Sequence, residues 1–381
     1  MDFLFDDSEE SYRQEVRRFA ARALAPHNQA DDRAGQLRPE LVTDMAALGL
    51  TGLRIPGTHG GQGASAVAAG IAAEEVGRAH FSATYLIINT ALVSDVLLRH
   101  ATRGQQARWL PPIAAGQVIP CLCVTEPGHG SDAAGLELRA EPDGAGWRLT
   151  GEKTSITLGA DAQAALVLAR TGGPGARGVS AFYVELDGRH VTRSAFDDLG
   201  GCAIGRASLH FGGLPVTRSD LVGEPGGGFV SVMQGFDYSR AVIGLACLGA
   251  AQASLEETVA WARDRQAFGQ PVGRFQGVSF PLAEYSTYAR GARHVCYEAL
   301  WRKDRGLAHS TEAAMAKFWA PKLATEIIHQ CLLTFGHTGY SADSPLGQRL
   351  RDVIGLEIGD GTAQISLLVI ARALLGREYA P

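Results

Sequence analysis

Hydrophobic spacing changes twice along this 381-residue chain, and the order of the changes leaves few architectures open. From residue 8 to 119, apolar and alanine positions recur at three-to-four spacing between charges, most clearly in Glu9–Leu24, Pro39–Leu50 and Ala66–His80. That is the period of an amphipathic helix. Tyr85–His100 is apolar nearly all round apart from Asn89, Thr90, Ser94, Asp95 and its basic end, which predicts a buried helix. Between Val118 and about Val222 come short β-rich runs divided by Gly and Pro: Cys121–Val124, Trp147–Thr150, Ala164–Ala169, Val179–Val184 and Ala207–Phe211. Pro215 and the glycines 226–228 close this stretch. The helical period then returns in Phe229–Asp264, Phe275–Arg305, Ser310–Gly336 and Ile365–Leu375. Strands gathered in the middle, rather than alternating with helices, predict an α+β chain that is mostly α. Its length calls for more than one core, and the natural units are 1–119, 120–228 and 229–381. A Rossmann nucleotide fold is excluded, because no G-x-G-x-x-G follows a strand.

Charge and cysteine usage narrow the partners. Net charge is −5 with no basic block, which argues against nucleic acid. Cys121, Cys123, Cys202, Cys247, Cys296 and Cys331 show no zinc-type pairing and read as buried free thiols of a reducing compartment. No metal site is expected. The acidic start Met1–Asp7 predicts no secretory signal. Apolar stretches are read as broken by charge before about 18 residues, so no membrane span is expected. The expected location is cytoplasmic.

Three segments carry chemistry. Gly359-Asp360-Gly361-Thr362-Ala363-Gln364 interrupts the last helical pattern. It is either a solvated turn or a base held against a ligand that the glycine backbone lets come close. Val124-Thr125-Glu126-Pro127-Gly128-His129-Gly130-Ser131-Asp132 follows a strand. Its N–H and hydroxyl groups can donate to carbonyls or phosphates, or it is a simple Pro-Gly turn. Arg265-Gln266-Ala267-Phe268-Gly269-Gln270-Pro271, followed by Phe275-Gln276, lies between two C-terminal helices. An Arg there suits a diphosphate or a solvated helix end.

In this order and spacing the three motifs resemble the acyl-CoA dehydrogenase family over essentially the whole chain. Gly151–Ile156 and Met233–Arg240 are similar to its cyclohexanecarboxyl-CoA dehydrogenase-like members, which also carry Asp in the base position. The resemblance implies an N-terminal all-helical domain, a central β-barrel or sandwich and a C-terminal four-helix bundle. It further implies bound FAD, a homotetramer built as a dimer of dimers, and an electron-transfer flavoprotein as acceptor. The substrate is then an acyl-CoA or acyl carrier protein thioester.

Individual roles follow from the same resemblance. Val124, Thr125, Gly130, Ser131, Ser155 and Thr157 correspond to residues around the flavin, Ser131 also touching the substrate. Arg265, Phe268, Gln276, Gln330 and Gly336 correspond to those that hold the adenine and pyrophosphate end across a subunit interface, and Thr362 and Gln364 also contact the cofactor. Phe236, Asp237, Arg240 and Gly361 meet the substrate, and Tyr85, Ile88, Asn89 and Leu92 line its acyl tail. For Tyr85, Asn89 and Thr90 the favoured reading is that of satisfied core polar groups. Asp360 takes the α-proton, and its backbone N–H helps polarise the thioester carbonyl. Arg240 beside it favours the carboxylate and burial opposes it, a balance expected to leave the base ionised near neutral pH.

Three departures matter. Most members carry Glu where Asp360 stands, Trp where Ser155 stands, and some place a Glu base at the position of Ser239, which cannot serve. Ser155 implies either a widened acyl pocket or a neighbour that fills the space. The expected product is a 2-enoyl thioester of a short, branched or cyclic acyl group. The alternatives are γ,δ-desaturation in extender-unit biosynthesis, a nitroalkane oxidase-like or acyl-CoA oxidase flavoenzyme, and a DNA-associated binding branch.

Overall fold

Local signals start the helices in the computed structural model, which describes residues 4–380. Asp6 and Glu9 form a capping box at the start of α1 (Asp7–Phe19). Five further helices precede the sheet: α2 (Asn28–Ala34), α3 (Pro39–Ala47), α4 (Ala66–Ala79), α5 (Thr84–His100) and α6 (Arg103–Ala114). The strands are β1 (Pro120–Cys123), β2 (Arg139–Asp143), β3 (Gly146–Ile156), β4 (Ala164–Arg170), β5 (Val179–Glu185), β6 (Val191–Ala195), β7 (Ala207–Val216) and β8 (Leu221–Val222). Then come α7 (Gly228–Asp264), a hairpin of β9 (Gln266–Ala267) and β10 (Gln270–Pro271), α8 (Gln276–Asp304), α9 (Ser310–Phe335), α10 (Pro345–Ile358) and α11 (Ala363–Leu375).

The helix–sheet–helix order matches the sequence reading, but several elements were not legible. Helix α6 carries Pro111 and Pro112, α2 is only 7 residues long, and Gly347 and Gly355 interrupt the pattern of α10. Strand β2 buries only Ala140, so it presents no apolar run. Strand β6 buries only Val191. The membrane expectation also needs correction: Phe81–His100 is long and apolar enough to span. Yet 83% of its apolar window is buried inside the protein, which makes it a core helix. Cys202 is half-buried, unlike the other five thiols.

The sheet runs β6-β7-β3-β2-β4-β5-β8, with β1 parallel beside β4. It rolls over one core: Trp147 of β3 meets Phe182 of β5 edge-on at 5.5 Å, although two strands separate them in the sheet. Strand β4 is apolar on both faces, as its unbroken Ala-Ala-Leu-Val-Leu-Ala run demands. Ala165, Val167 and Ala169 enter the core inside the roll. Ala164, Leu166 and Leu168 pack outward against Val93, Leu97, Leu110 and Val232 of α5, α6 and α7. One further core joins the first and last helices, with Ala69, Ala73 and Val76 of α4 against Val242, Leu245 and Ala246 of α7.

Helices α4 and α7 cross almost backbone to backbone. A Cβ on Gly77 would lie 2.5 Å from the Ala246 oxygen, and one on Gly249 would lie 2.1 Å from the Glu74 oxygen. Helices α7, α8 and α9 pack mutually, and α10 with α11 lies against α9 as a fourth arm bent by 47°. Asp360 sits at that bend.

Candidate active site

The chain reverses direction between α10 and α11 through two left-handed residues, Asp360 (φ 55°) and Gly361 (φ 93°). Asp is among the few side chains that enter this region readily. Gly359 N–H still bonds Gly355 O at 2.9 Å, the last link of α10. Thr362 then caps α11 by accepting from Ile365 N–H at 3.4 Å. Among the described residues, no backbone carbonyl receives the Asp360 N–H.

Charged or polar groups of three elements interact electrostatically with the Asp360 carboxylate: Arg240 of α7, Lys317 of α9 and Tyr85 of α5. The residue keeps some open surface, as a group lining a cleft does. Burial pushes its carboxyl above the ordinary range, with Lys317 and then Arg240 acting in the opposite sense. Desolvation thus outweighs the two cations in the direction of the shift. Arg240 lies close over the turn, since a Cβ on Gly361 would be 3.8 Å from its Nη2. Its Nη1 bonds Asp237 Oδ1 at 3.0 Å, while its buried Nε has no partner among the described residues. Ser239 is fully buried and donates to Phe236 O at 3.3 Å, so it is spent on its own helix.

Lys317 escaped the sequence reading. It is 1% exposed, and its Nζ donates to Leu356 O at 2.6 Å and to Gly361 O at 2.9 Å. The signal was available: residue 317 falls on the helix face of Ala313, Ala320 and Ala324, all buried. A lysine on an alanine face needs a reason.

In the sheet region, the Val124–Asp132 loop is pinned to β3. Lys153 is 0% exposed and donates to Val124 O at 2.9 Å and Glu126 Oε1 at 2.8 Å. Glu126 accepts from the N–H groups of Glu137 and Leu138 as well. Burial opposes its ionisation, but Lys153 and these two donors outweigh it and hold the carboxyl below its ordinary range. Thr154 N–H bonds Thr125 O at 2.9 Å, which fixes the loop against the end of β3.

At the end of that strand, Ser155 (φ 58°) and, just past it, Leu158 (φ 60°) are left-handed and frame Thr157. Asn89 Nδ2 donates to Thr157 O at 3.3 Å, so Asn89 ties α5 to this corner. Thr90 is a satisfied core group, donating to Leu86 O at 2.6 Å. Leu92 has a core contact rather than an open face: a Cβ on Gly235 would meet its Cδ1 at 2.6 Å. Ile88 is 2% exposed. Beside Ser155 stands Arg206, also missed in the sequence. Its Nη1 donates to Ser155 Oγ at 3.0 Å while Asp198 and the Phe196 ring hold the guanidinium.

The residues present suit a flavin dinucleotide. Among the described residues, none bonds the hydroxyls of Thr125, Ser131 or Thr157, which are left free to donate to a bound group. A Cβ on Gly128 or Gly130 would meet nothing within 4 Å, so a group has room to lie against that backbone. The remaining cofactor candidates lie elsewhere. Arg265 is at the far end of α7, 25 positions after Arg240, which at 1.5 Å per residue is about 37 Å away. Phe268 (φ 52°) projects beside it, 95% exposed, with only Phe275 edge-on at 6.0 Å. Gln276 opens α8, and Gln330 and Gly336 close α9. Within one chain these do not converge on Asp360. Gln364, on the first turn of α11, is exposed four positions after the base.

Comparison with known proteins agrees with this geometry. The acyl-CoA dehydrogenase N-terminal, middle and C-terminal domain families match residues 6–117, 121–212 and 226–375. The mitochondrial short-chain specific acyl-CoA dehydrogenase of Bos taurus is 35% identical over 372 residues, which is 97% of this chain and 90% of that protein. The structure of butyryl-CoA dehydrogenase from Megasphaera elsdenii superposes with a TM-score of 0.95 at 29% identity, covering 98% of this chain and 100% of the other. A structure described under the electron transferring flavoprotein of Acidaminococcus fermentans gives a TM-score of 0.96 at 30% identity, again over 98% and 100%. With matches across all three regions and a relative 35% identical over 97% of this chain, the chain belongs to the acyl-CoA dehydrogenase family, FAD-dependent oxidoreductases that act on acyl-CoA.

Proposed function

We propose that this chain desaturates a short, branched or cyclic acyl thioester, with Asp360 as the base, giving the 2-enoyl thioester. The supporting observation is the Asp360 turn: a left-handed carboxylate facing Arg240, Lys317 and Tyr85, with its own N–H unspent. The N–H donates to the thioester carbonyl and acidifies Cα. Asp360 then takes the α-proton, the Cα–H electron pair forms the new double bond, and the β-hydrogen leaves as hydride. Bound FAD supplies the acceptor for that hydride. Raised by burial, the base has a proton affinity better matched to an α-proton than that of a solvated Asp.

The acyl end meets Tyr85, Ile88 and Asn89, and the Ser155–Arg206 pair stands where relatives carry a large ring. That substitution supports the likeness to cyclohexanecarboxyl-CoA dehydrogenase-like members. Phe236, Asp237 and Arg240 lie toward the pantetheine, whether CoA or an acyl carrier bears it. Val124, Thr125, Gly130, Ser131, Ser155 and Thr157 would hold the flavin ring region, with Thr362 and Gln364 beside it. Arg265, Phe268, Gln276, Gln330 and Gly336 would take the adenosine end of a cofactor bound mainly by another copy, as a homotetramer allows. We infer a cytoplasmic enzyme that passes its electrons to an electron-transfer flavoprotein.

The test is anaerobic titration of the holoprotein with butyryl-, isobutyryl- and cyclohexanecarboxyl-CoA and their acyl carrier counterparts. It is followed at the flavin band, with the product double bond located by NMR. Bleaching with a 2-enoyl product is expected, and Asp360→Asn should slow it on the order of 1000-fold. Native-rate bleaching in that variant removes Asp360 as base. A γ,δ product, or oxygen uptake with nitroethane and none with thioesters, replaces the reading.

A further inference from the structure

We propose that Lys317 is a positioning residue for this reaction, holding the Asp360 turn open by taking the two carbonyls on either side of it. The argument begins with helix geometry. Were α10 to continue by one residue, Asp360 N–H would bond Leu356 O, four positions back. Instead Leu356 O receives Lys317 Nζ at 2.6 Å, and the same ammonium holds Gly361 O at 2.9 Å. The lysine therefore competes for the acceptor that a continued α-helix would offer the Asp360 N–H. It also staples the end of α10 to the start of α11, across the 47° bend.

Two consequences follow. The Asp360 N–H stays available as a donor to the substrate carbonyl. The left-handed backbone of Asp360, which an unsupported turn would relax, is fixed from both sides, so the carboxylate direction is fixed with it. A cation at the carbonyl end of a helix also suits the helix dipole. It stands here in a nearly dry site, where its charge is weakly screened.

Asp360 faces Lys317 of α9, Arg240 of α7 and Tyr85 of α5. Lys317 faces Asp360, Cys247 and Arg240 of α7, and Glu357 of α10. Glu357 is itself bonded by Thr325 at 2.6 Å. Lys317 is the stronger of the two cations acting on the base. Removing it therefore leaves burial less opposed, and Asp360 ionises at a higher pH.

This inference rests on Asp360 being the base, and the experiment separates the two. Lys317→Met, Lys317→Gln and Lys317→Arg holoproteins are compared with native enzyme and Asp360→Asn. The measurement is the pH dependence of flavin reduction by butyryl-CoA or cyclohexanecarboxyl-CoA, whichever is faster. In Lys317→Met the acid limb of kcat/KM should move up by about one pH unit. Its kcat at pH 7 should fall at least about tenfold, with KM within about threefold. Lys317→Arg should restore the native limb. A merely structural lysine would lower the melting temperature without moving the limb. An unmoved limb and native kcat in Lys317→Met overturn the proposal, with Asp360→Asn still inactive. If Lys317→Met fails to fold, the Gln and Arg variants decide: equal limbs in both overturn it, and a raised limb in Gln alone supports it. Native-rate reduction by Asp360→Asn would instead sink the base assignment beneath it.

Discussion

Asp360 and Lys317 differ in how sequence exposes them. Asp360 stands in a glycine turn inside a recognisable motif, so the role proposed for it comes from its neighbours in the chain. Lys317, Lys153 and Arg206 act on residues 39, 27 and 51 positions away, and no local pattern joins such pairs. What sequence does offer is a misfit, a lysine on an alanine face or inside a strand. The same scale carries a prediction about the shorter base. Asp360→Glu lengthens the side chain by about 1.5 Å at a backbone conformation that Glu adopts less readily than Asp. Misplacement of that size costs on the order of 100-fold in reactivity. Stopped-flow flavin reduction should therefore slow about that much, with thioester affinity little changed. A rate at or above native would mean that the pocket, and not the turn, sets the reach of the base.

Between elements, the least legible feature is how the loop before β7 is tied to α10. Asp352 of α10 is 2% exposed and accepts from Gly201 N–H at 2.7 Å through Oδ1, while its Oδ2 has no partner among the described residues. Gly200 packs on the Arg351 backbone, and Arg351 Nη1 donates to Leu199 O at 2.8 Å. This loop leads directly to Arg206 and so to Ser155. Burial lifts the Asp352 carboxyl from 3.8 to about 7. The folded state thus holds a proton that the unfolded chain releases near pH 4. The stability so gained is fully present below pH 3.8 and is lost as pH rises through about 7, at about 1.4 kcal/mol per unit. Asp352→Asn cannot ionise. Relative to native protein it should gain melting temperature at pH 8 and not at pH 4.5, by thermal unfolding of the holoprotein. Parallel curves at both pH values would show that Asp352 is charged in the fold. At the neighbouring crossing of α4 and α7, Gly249→Ala should cost about 1–3 kcal/mol by overpacking, because the added methyl meets a backbone oxygen that cannot rotate away. Chemical denaturation reads that loss directly.

At the scale of the whole molecule, the three-part order was legible because period and composition change abruptly at residues 120 and 228. The proposed assembly comes from the family resemblance alone, because a single chain hides which surfaces another copy completes. Two geometric observations bear on it: Asp360 and Arg265 lie near opposite ends of the same helical region, and Phe268 stands 95% exposed beside Phe275. If a second copy's Arg265 and Phe268 complete each flavin site, two different defects should complement. Asp360→Asn chains bind FAD but lack the base. Chains carrying Arg265→Glu with Phe268→Ser keep the base but lose the cofactor's far end. Each homogeneous protein should be nearly inactive, the second also depleted in flavin after gel filtration. Co-expressed in equal amounts and mixed at random, half the sites receive a native Asp360. Half of those receive a native Arg265 and Phe268 from the partner, so activity should return to about one quarter of the native level. If each chain instead built its whole site alone, no mixed assembly could hold both intact halves, and activity would stay at the level of the separate variants. The quarter recovery, read together with tetramer mass by light scattering, therefore distinguishes a shared site from a self-sufficient one.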